Sequence, residues 1–181
     1  MSLDLCYYGN PILRKPAEEV TSFTEDLATL AKDMVTTMHD EAGIGLAGPQ
    51  IGKSLRIFVM EIPPEMDEDE VGNPLNPELK GPLVAVNPQI LPELEEQDEM
   101  EEGCLSIPDI RGRVTRPYEI VLNYQTVTGE KKSIPLKGLA ARCAQHELDH
   151  LNGVLFLDHL SSVKRIAIKG KLKRLKQAHS S

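Results

Sequence analysis

Apolar residues recur along this chain with two different periods, and the switches between them mark out its elements. Leu27, Leu30, Ala31, Met34, Val35 and Met38 fall at i, i+3, i+4, i+7, i+8 and i+11, the stripe of an amphipathic helix. This predicts a helix over about residues 24–39, with Ser22 or Thr24 as its N-cap. Gly43 to Gln50 (GIGLAGPQ) then reads as a glycine-rich loop. The apolar runs Arg56 to Met60 and Leu83 to Pro88 predict strands, the second buried and ending at its proline. Between them, residues 61–82 concentrate proline and acid and read as a long exposed loop or insertion. Residues 114–127 and 131–136 read as strands, with Thr128-Gly129-Glu130 as the hairpin turn. A second helix is expected to start near Gly138 and stop at Gly153. A third covers about residues 161–177, with Val163, Ile166, Ala167 and Leu175 along one side. No repeat or linker divides the chain, so the expectation is one domain over residues 1–181. Its class is α+β, with mixed or antiparallel strands around one central helix and further helices toward the N- and C-termini.

Composition narrows the function classes. A chain of 181 residues can bury about 70% of its extended surface, and 40% hydrophobic with 27% charged residues is ordinary for a globular protein. No apolar run has membrane-spanning length, so no membrane partner is expected. Met1 to Cys6 lacks both the basic and the hydrophobic region of a secretory signal. The three cysteines, Cys6, Cys104 and Cys143, are an odd number without disulfide spacing. That fits a cytoplasmic protein in which a functional cysteine is a ligand or nucleophile. The net charge of −8 argues against binding DNA. The charge is uneven, however. Residues 65–70 hold five acids and residues 93–102 hold seven, which read as solvated loops, whereas Ser161 onward has seven Lys and Arg and no acid.

The sharpest chemical signal lies in the second helix, where His146-Glu147-Leu148-Asp149-His150 forms H-E-x-x-H. Residues four apart share a helix face, so both imidazoles can reach one metal ion with Glu147 beside it. Such a pair needs a third protein ligand and an open position for water. The metzincin completion would put histidine at 156, where the chain has Phe156, and the thermolysin-like completion needs a later glutamate, of which there is none. The ligand is therefore sought upstream. Cys143 shares the helical face, but residues 143 to 150 span about 10 Å of helix axis, so it reads as a buried core residue. Cys6 has no organised surroundings. Cys104, in Glu101-Glu102-Gly103-Cys104-Leu105-Ser106-Ile107-Pro108, follows a glycine that lets the backbone come close to a cleft.

Three segments in order, Gly43 to Gln50, Glu102 to Ser106 and Gln145 to His150, resemble the signature motifs of the peptide deformylases, and the likeness extends over nearly the whole chain. The resemblance implies a peptide-deformylase-like fold and a divalent metal on Cys104, His146 and His150. It implies Fe²⁺ as the ion, with Zn²⁺, Ni²⁺ or Co²⁺ as replacements. Glu147 would move protons, while the Gln50 amide and the Leu105 backbone N–H would stabilise the oxyanion. Gly43, Ile44, Gly45, Leu46 and Gly103 would contact the substrate, the N-terminal formyl-methionine of a nascent polypeptide, and formate would be released. Gly48 stands where the family usually has alanine. Glu102 and Asp149 read either as partners that orient the ligands or as ordinary salt bridges, and Arg111 as a surface arginine that could face a peptide. The basic tail, Lys164, Arg165, Lys169, Lys171, Lys173, Arg174 and Lys176, suggests ribosome contact through phosphates. Two other readings remain in play: a zinc peptidase on a different scaffold, and a non-catalytic ribosome-associated or structural protein.

Overall fold

The strand Ile57–Met60 shows how the chain builds its layers, because all four of its residues are buried. Successive strand side chains point to opposite faces, so Ile57 and Val59 pack on one side of the sheet and Phe58 and Met60 on the other. A strand covered on both faces reads as a continuous apolar run, and two helices supply the covers. The computed structural model describes residues 1–92 and 96–180. Residues 93–95, part of the second acidic run, lie outside the described residues.

The elements in chain order are α1 (Glu25–Asp40), β1 (Gly45–Ala47), β2 (Ile57–Met60), β3 (Leu83–Pro92), β4 (Gln97–Cys104), β5 (Ile107–Pro117), β6 (Glu119–Gln125), β7 (Lys131–Lys137), α2 (Gly138–Leu151) and α3 (Ser162–Ala178). Five strands form a sheet in the order β1-β2-β3-β6-β7, and β4 pairs with β5 in a separate two-stranded hairpin. All these ladders are antiparallel. Leu27, Ala31, Met34 and Met38 of α1 cover one face of the sheet with Ile57, Val59 and Val86. On the other face Ala140, Ala141, Ala144 and Leu151 of α2 meet Phe58, Ala85, Leu122 and Leu136. The small alanine side chains let α2 sit close to the strands. A third apolar cluster joins Ile107, Ile110 and Val114 of β5 to Phe156, Leu160 and Ile168, fixing the hairpin against the C-terminal helix.

Several expectations are corrected. The glycine-rich segment is not simply a loop, since it contains β1 and a 3-10 turn at Gly48–Ile51. β3 does not stop at Pro88. A register shift between Val86 and Gln89, with Asn87 at φ 48°, carries the strand past it. The Asn87 side chain secures that irregularity by accepting from Val20 N and donating to Val20 O, both at 2.8 Å. Residues 114–127 are not one strand, because β5 ends at Pro117 and β6 starts at Glu119; β4 had no sequence signal, half of its residues being acidic. Thr24 is the N-cap of α1, but its hydroxyl makes no capping bond. On α3 the packed face is Ile168 with Leu172 and Leu175, whereas Val163 and Ile166 are exposed. Segment 61–82 is anchored as well as exposed, since Asp67 and Asn76 are both buried.

Candidate active site

The cleft lies between β1, α2 and the β4–β5 hairpin. It has a volume of about 580 Å³, and Gln50, Cys104, Leu105, His146 and Glu147 are among its lining residues. Each motif reaches it from a different element. α2 presents His146, Glu147 and His150; the end of β4 presents Cys104; the 3-10 turn after β1 presents Gln50. The sulfur of Cys104 and ring nitrogens of His146 and His150 all lie within 4.8 Å of one another, with Cys104 Sγ 3.3 Å from His150 Nε2. His146 Nδ1 is bonded to Glu102 Oε1 at 2.9 Å, which leaves Nε2 as its ligand atom and fixes the ring in the pattern of a metal-ligating histidine. A thiolate with two imidazoles suits a borderline-soft divalent ion. The donor set and its convergence therefore fit the implied metal. Cys143 stays out of this group. It is buried, with its thiol donating to Ile44 O at 3.5 Å, in keeping with its reading as a core residue.

Glu147 stands in surroundings that favour its neutral form. It is 4% exposed, and its Oε2 has no hydrogen-bond partner among the described residues. Burial, partly offset by the charge of His146, pushes its pKa up to about 7. A carboxyl poised there can both take and give a proton near neutral pH. Gly45 makes room for it. A Cβ at Gly45 would collide with Glu147 Oε1 and stand 2.8 Å from Cys143 Sγ, so only glycine lets β1 pass this close. Gly48, the departure from the family pattern, has a backbone reason: a Cβ there would lie 2.6 Å from Leu55 O and 2.9 Å from Lys53 O. Gln50 is 1% exposed, and Ala47 N donates to its Oε1 at 2.9 Å, holding the amide in one orientation. Its Nε2 then donates toward Cys104 Sγ at 3.4 Å and Ser106 Oγ at 3.2 Å.

Behind the ligands stands a buried charge cluster. Glu102 accepts from Arg116 Nε at 2.6 Å, Arg116 Nη2 at 2.9 Å and Arg142 Nη1 at 2.7 Å, and also meets His146. Burial alone would raise the Glu102 pKa, but the bonds from His146 and Arg116 hold it well below the usual carboxylate range. The same contacts act on His146. Burial lowers its pKa, and the bonds to Cys104 and Glu102 more than reverse this, leaving it well above the ordinary histidine value. His150, whose Nδ1 has no hydrogen-bond partner among the described residues, is held well below that value by burial and the charge of His146. Arg142 also donates to Val114 O at 2.8 Å and Asp98 O at 2.7 Å, clamping both hairpin strands to α2. Asp149 accepts from Arg116 at 2.9 Å and meets His159 at 2.9 Å.

Of the sequence-derived substrate residues, Gly43, Ile44, Gly45 and Gly103 line the cleft. Leu46 does not. It alternates to the opposite face of β1 and is buried against α1. Arg111 lines the cleft at its exposed rim, 3.6 Å from Glu101. Arg116 and Arg142 carried no sequence signal of their role. Arg116 shares the inward face of β5 with Ile110 and Val114, and that alternation was the one available hint.

Comparison with known proteins places these features in a family. The family model of polypeptide deformylases matches residues 2–166. A peptide deformylase of Salinibacter ruber is 43% identical over 176 residues, covering 97% of this chain and 89% of that protein. The crystal structure of a peptide deformylase from Legionella pneumophila is 39% identical, covers 100% of both chains and superposes with a TM-score of 0.81. That of Ehrlichia chaffeensis is 36% identical, covers 98% of both chains and gives a TM-score of 0.86.

Proposed function

The chain belongs to the polypeptide deformylase family, metal-dependent hydrolases that remove the N-terminal formyl group, and from that premise we propose which of its residues do so and with which metal. Cys104, His146 and His150 hold one divalent ion, and the observation that carries this assignment is their convergence beside buried Glu147. When bound, the ion supplies Lewis acidity and lowers the pKa of a water toward neutrality.

The protein groups do the rest. Glu147 takes the proton of the attacking water and returns it to the departing amine as the C–N bond to the formyl carbon breaks, giving formate and a free N-terminus. Negative charge builds on the formyl oxygen, where the Gln50 Nε2–H and the Leu105 backbone N–H donate to it. The anchored Gln50 amide needs little reorganisation to do so. Glu102 orients His146, and the apolar wall with Ile44 and the close-approaching Gly43, Gly45 and Gly103 receives the methionine. Residues 1–181 act as one domain.

The test is formate release from a formyl-Met peptide by anaerobically prepared protein, with Glu147→Ala as control. Release by the intact protein alone is expected, and none from either would overturn the reading.

Fe²⁺ is the metal we assign, on the family resemblance and the thiolate-containing donor set. Aerobic incubation should then erode activity as iron oxidises, while a zinc form is slower and stable. Equal, stable rates for both forms would remove the assignment. The site of action is the cytoplasm, on nascent chains, with α3 touching the ribosome. No helix among the described residues is long and apolar enough to cross a membrane. Because Ile168 is packed in the core, charge reversal of exposed Lys169, Lys173 and Lys176 is a cleaner test than truncation. Ribosome co-sedimentation at low salt should fall, and an unchanged fraction would exclude the contact.

A further inference from the structure

Residues 6–9 touch two active-site motifs on one side and the last turn of α3 on the other, although none of them lines the cleft. Cys6 N donates to Gln50 O at 2.7 Å, and Tyr8 N donates to Ser106 O at 2.9 Å. One carbonyl belongs to the oxyanion donor Gln50, the other to the residue that follows the second donor, Leu105. The two motifs also meet directly, the Gln50 amide donating to Ser106 Oγ at 3.2 Å across 56 positions of chain. The segment therefore ties together two pieces of backbone that the sequence keeps far apart. Cys6 and Tyr8 pack, partly buried, against the third apolar cluster. Tyr7 stacks on His179, with ring centroids 3.9 Å apart and planes 13° from parallel. His179 is the C-cap of α3. Gly9 has a φ of 101°, and a Cβ there would stand 2.7 Å from Lys176 Cγ, so glycine lets the chain lie against that last turn.

We propose that residues 6–9 are a positioning strap, which holds the oxyanion donors Gln50 and Leu105 in mutual register and is itself held by α3 through the Tyr7–His179 stack. Tyr7 and His179 are thus positioning residues, and the packing of the C-terminal turn of α3 is felt in turnover. The inference rests on the deformylase reading, which makes Gln50 and Leu105 donors. Donors aimed at charge that develops only in the transition state raise kcat without tightening substrate binding. Loosening the strap therefore lowers kcat and leaves KM in place. An aromatic stack is worth roughly two- to tenfold in an equilibrium, which bounds the effect.

The test measures kcat, KM and metal content with the full-length, metal-loaded protein and a formyl-Met peptide. Tyr7→Ala and His179→Ala should each lower kcat about three- to tenfold, with KM and metal content unchanged. Together they should lower it no further than either alone, because both break one contact. Tyr7→Phe, which keeps the stacked ring, should retain the unsubstituted kcat. In a Gln50→Ala background, Tyr7→Ala should cost less than in the intact protein, since one of the positioned donors is already gone. An undiminished kcat in Tyr7→Ala, a loss confined to KM or metal content, a loss shared by Tyr7→Phe, or an equal loss in the Gln50→Ala background would overturn the strap alone. No formate from the unsubstituted protein would overturn the deformylase reading and this inference with it.

Discussion

The helix α2 has two interfaces built on opposite principles. Toward the sheet it offers alanines and Leu151 to Phe58, Leu122 and Leu136, an apolar contact without direction. Toward the hairpin it offers Arg142, His146 and Asp149, which meet Glu102 and Arg116 in directed bonds at 2.7 to 2.9 Å. Apolar burial stabilises in proportion to area and tolerates small shifts. Paired buried charges contribute little net stability but penalise any other arrangement heavily. The sheet side thus holds α2 in the molecule, and the hairpin side decides where Cys104 stands relative to His146 and His150.

The largest effect that distinguishes the two sides should come from the ligand itself. Cys104→Ala is expected to abolish tight metal binding and formate release, while circular dichroism shows the fold intact, because the sheet side does not depend on the thiol. Retention of stoichiometric metal by that variant would instead favour a site without Cys104. Glu147→Ala should lower kcat by about 10²–10⁴ with the metal content unchanged, as measured by elemental analysis alongside turnover.

Glu102→Ala removes the partner of two buried arginines and of His146. It should cost about 3–5 kcal/mol in urea unfolding and weaken metal affinity by about 10–100-fold. Leu122→Ala, on the sheet side, should cost a similar 2–5 kcal/mol, on the order of other core truncations. Its metal affinity per folded molecule should stay at the unsubstituted value. Equal losses of affinity in both variants would erase the distinction between the interfaces.

The smallest effect concerns an exposed pair outside both interfaces. Arg14 donates to Asp158 at 2.7 Å. Partial burial alone would raise the Asp158 pKa, but the bond from Arg14 lowers it overall. A depressed carboxylate pKa stabilises the fold above the unfolded value of about 4, and that contribution disappears as pH falls through the folded value. Asp158→Asn should therefore shift the urea midpoint slightly at pH 7, and progressively less as pH falls through the depressed folded value. A shift that persists in acid would assign the effect to packing instead.

Local features of the molecule were legible in the sequence because they repeat at short range. The stripe from Leu27 to Met38 and the i, i+4 histidines need only helix geometry, and the failed peptidase completions pointed upstream to Cys104. Other features were hidden. β4, rich in glutamate, reads as a solvated run, yet pairing with β5 turns it into the strand that carries Glu102 and Cys104. Pro88 reads as a stop, and only the Asn87 bulge carries β3 past it. Val163 and Ile166 suggested the packed side of α3, whereas the third core cluster selects Ile168.

What the sequence determined by itself was the chemistry of each motif, since the pairing of His146 with His150 depends on residue type and on spacing within one helix. Tertiary structure decided which groups meet across elements. An arginine in a sequence is the same letter whether solvated or buried. Only the register of β4 with β5, and of the hairpin against α2, brings Arg116 and Arg142 onto Glu102 and Glu102 onto His146. Those contacts join residues 14 to 44 apart in the chain, and no local periodicity encodes a distance of that kind.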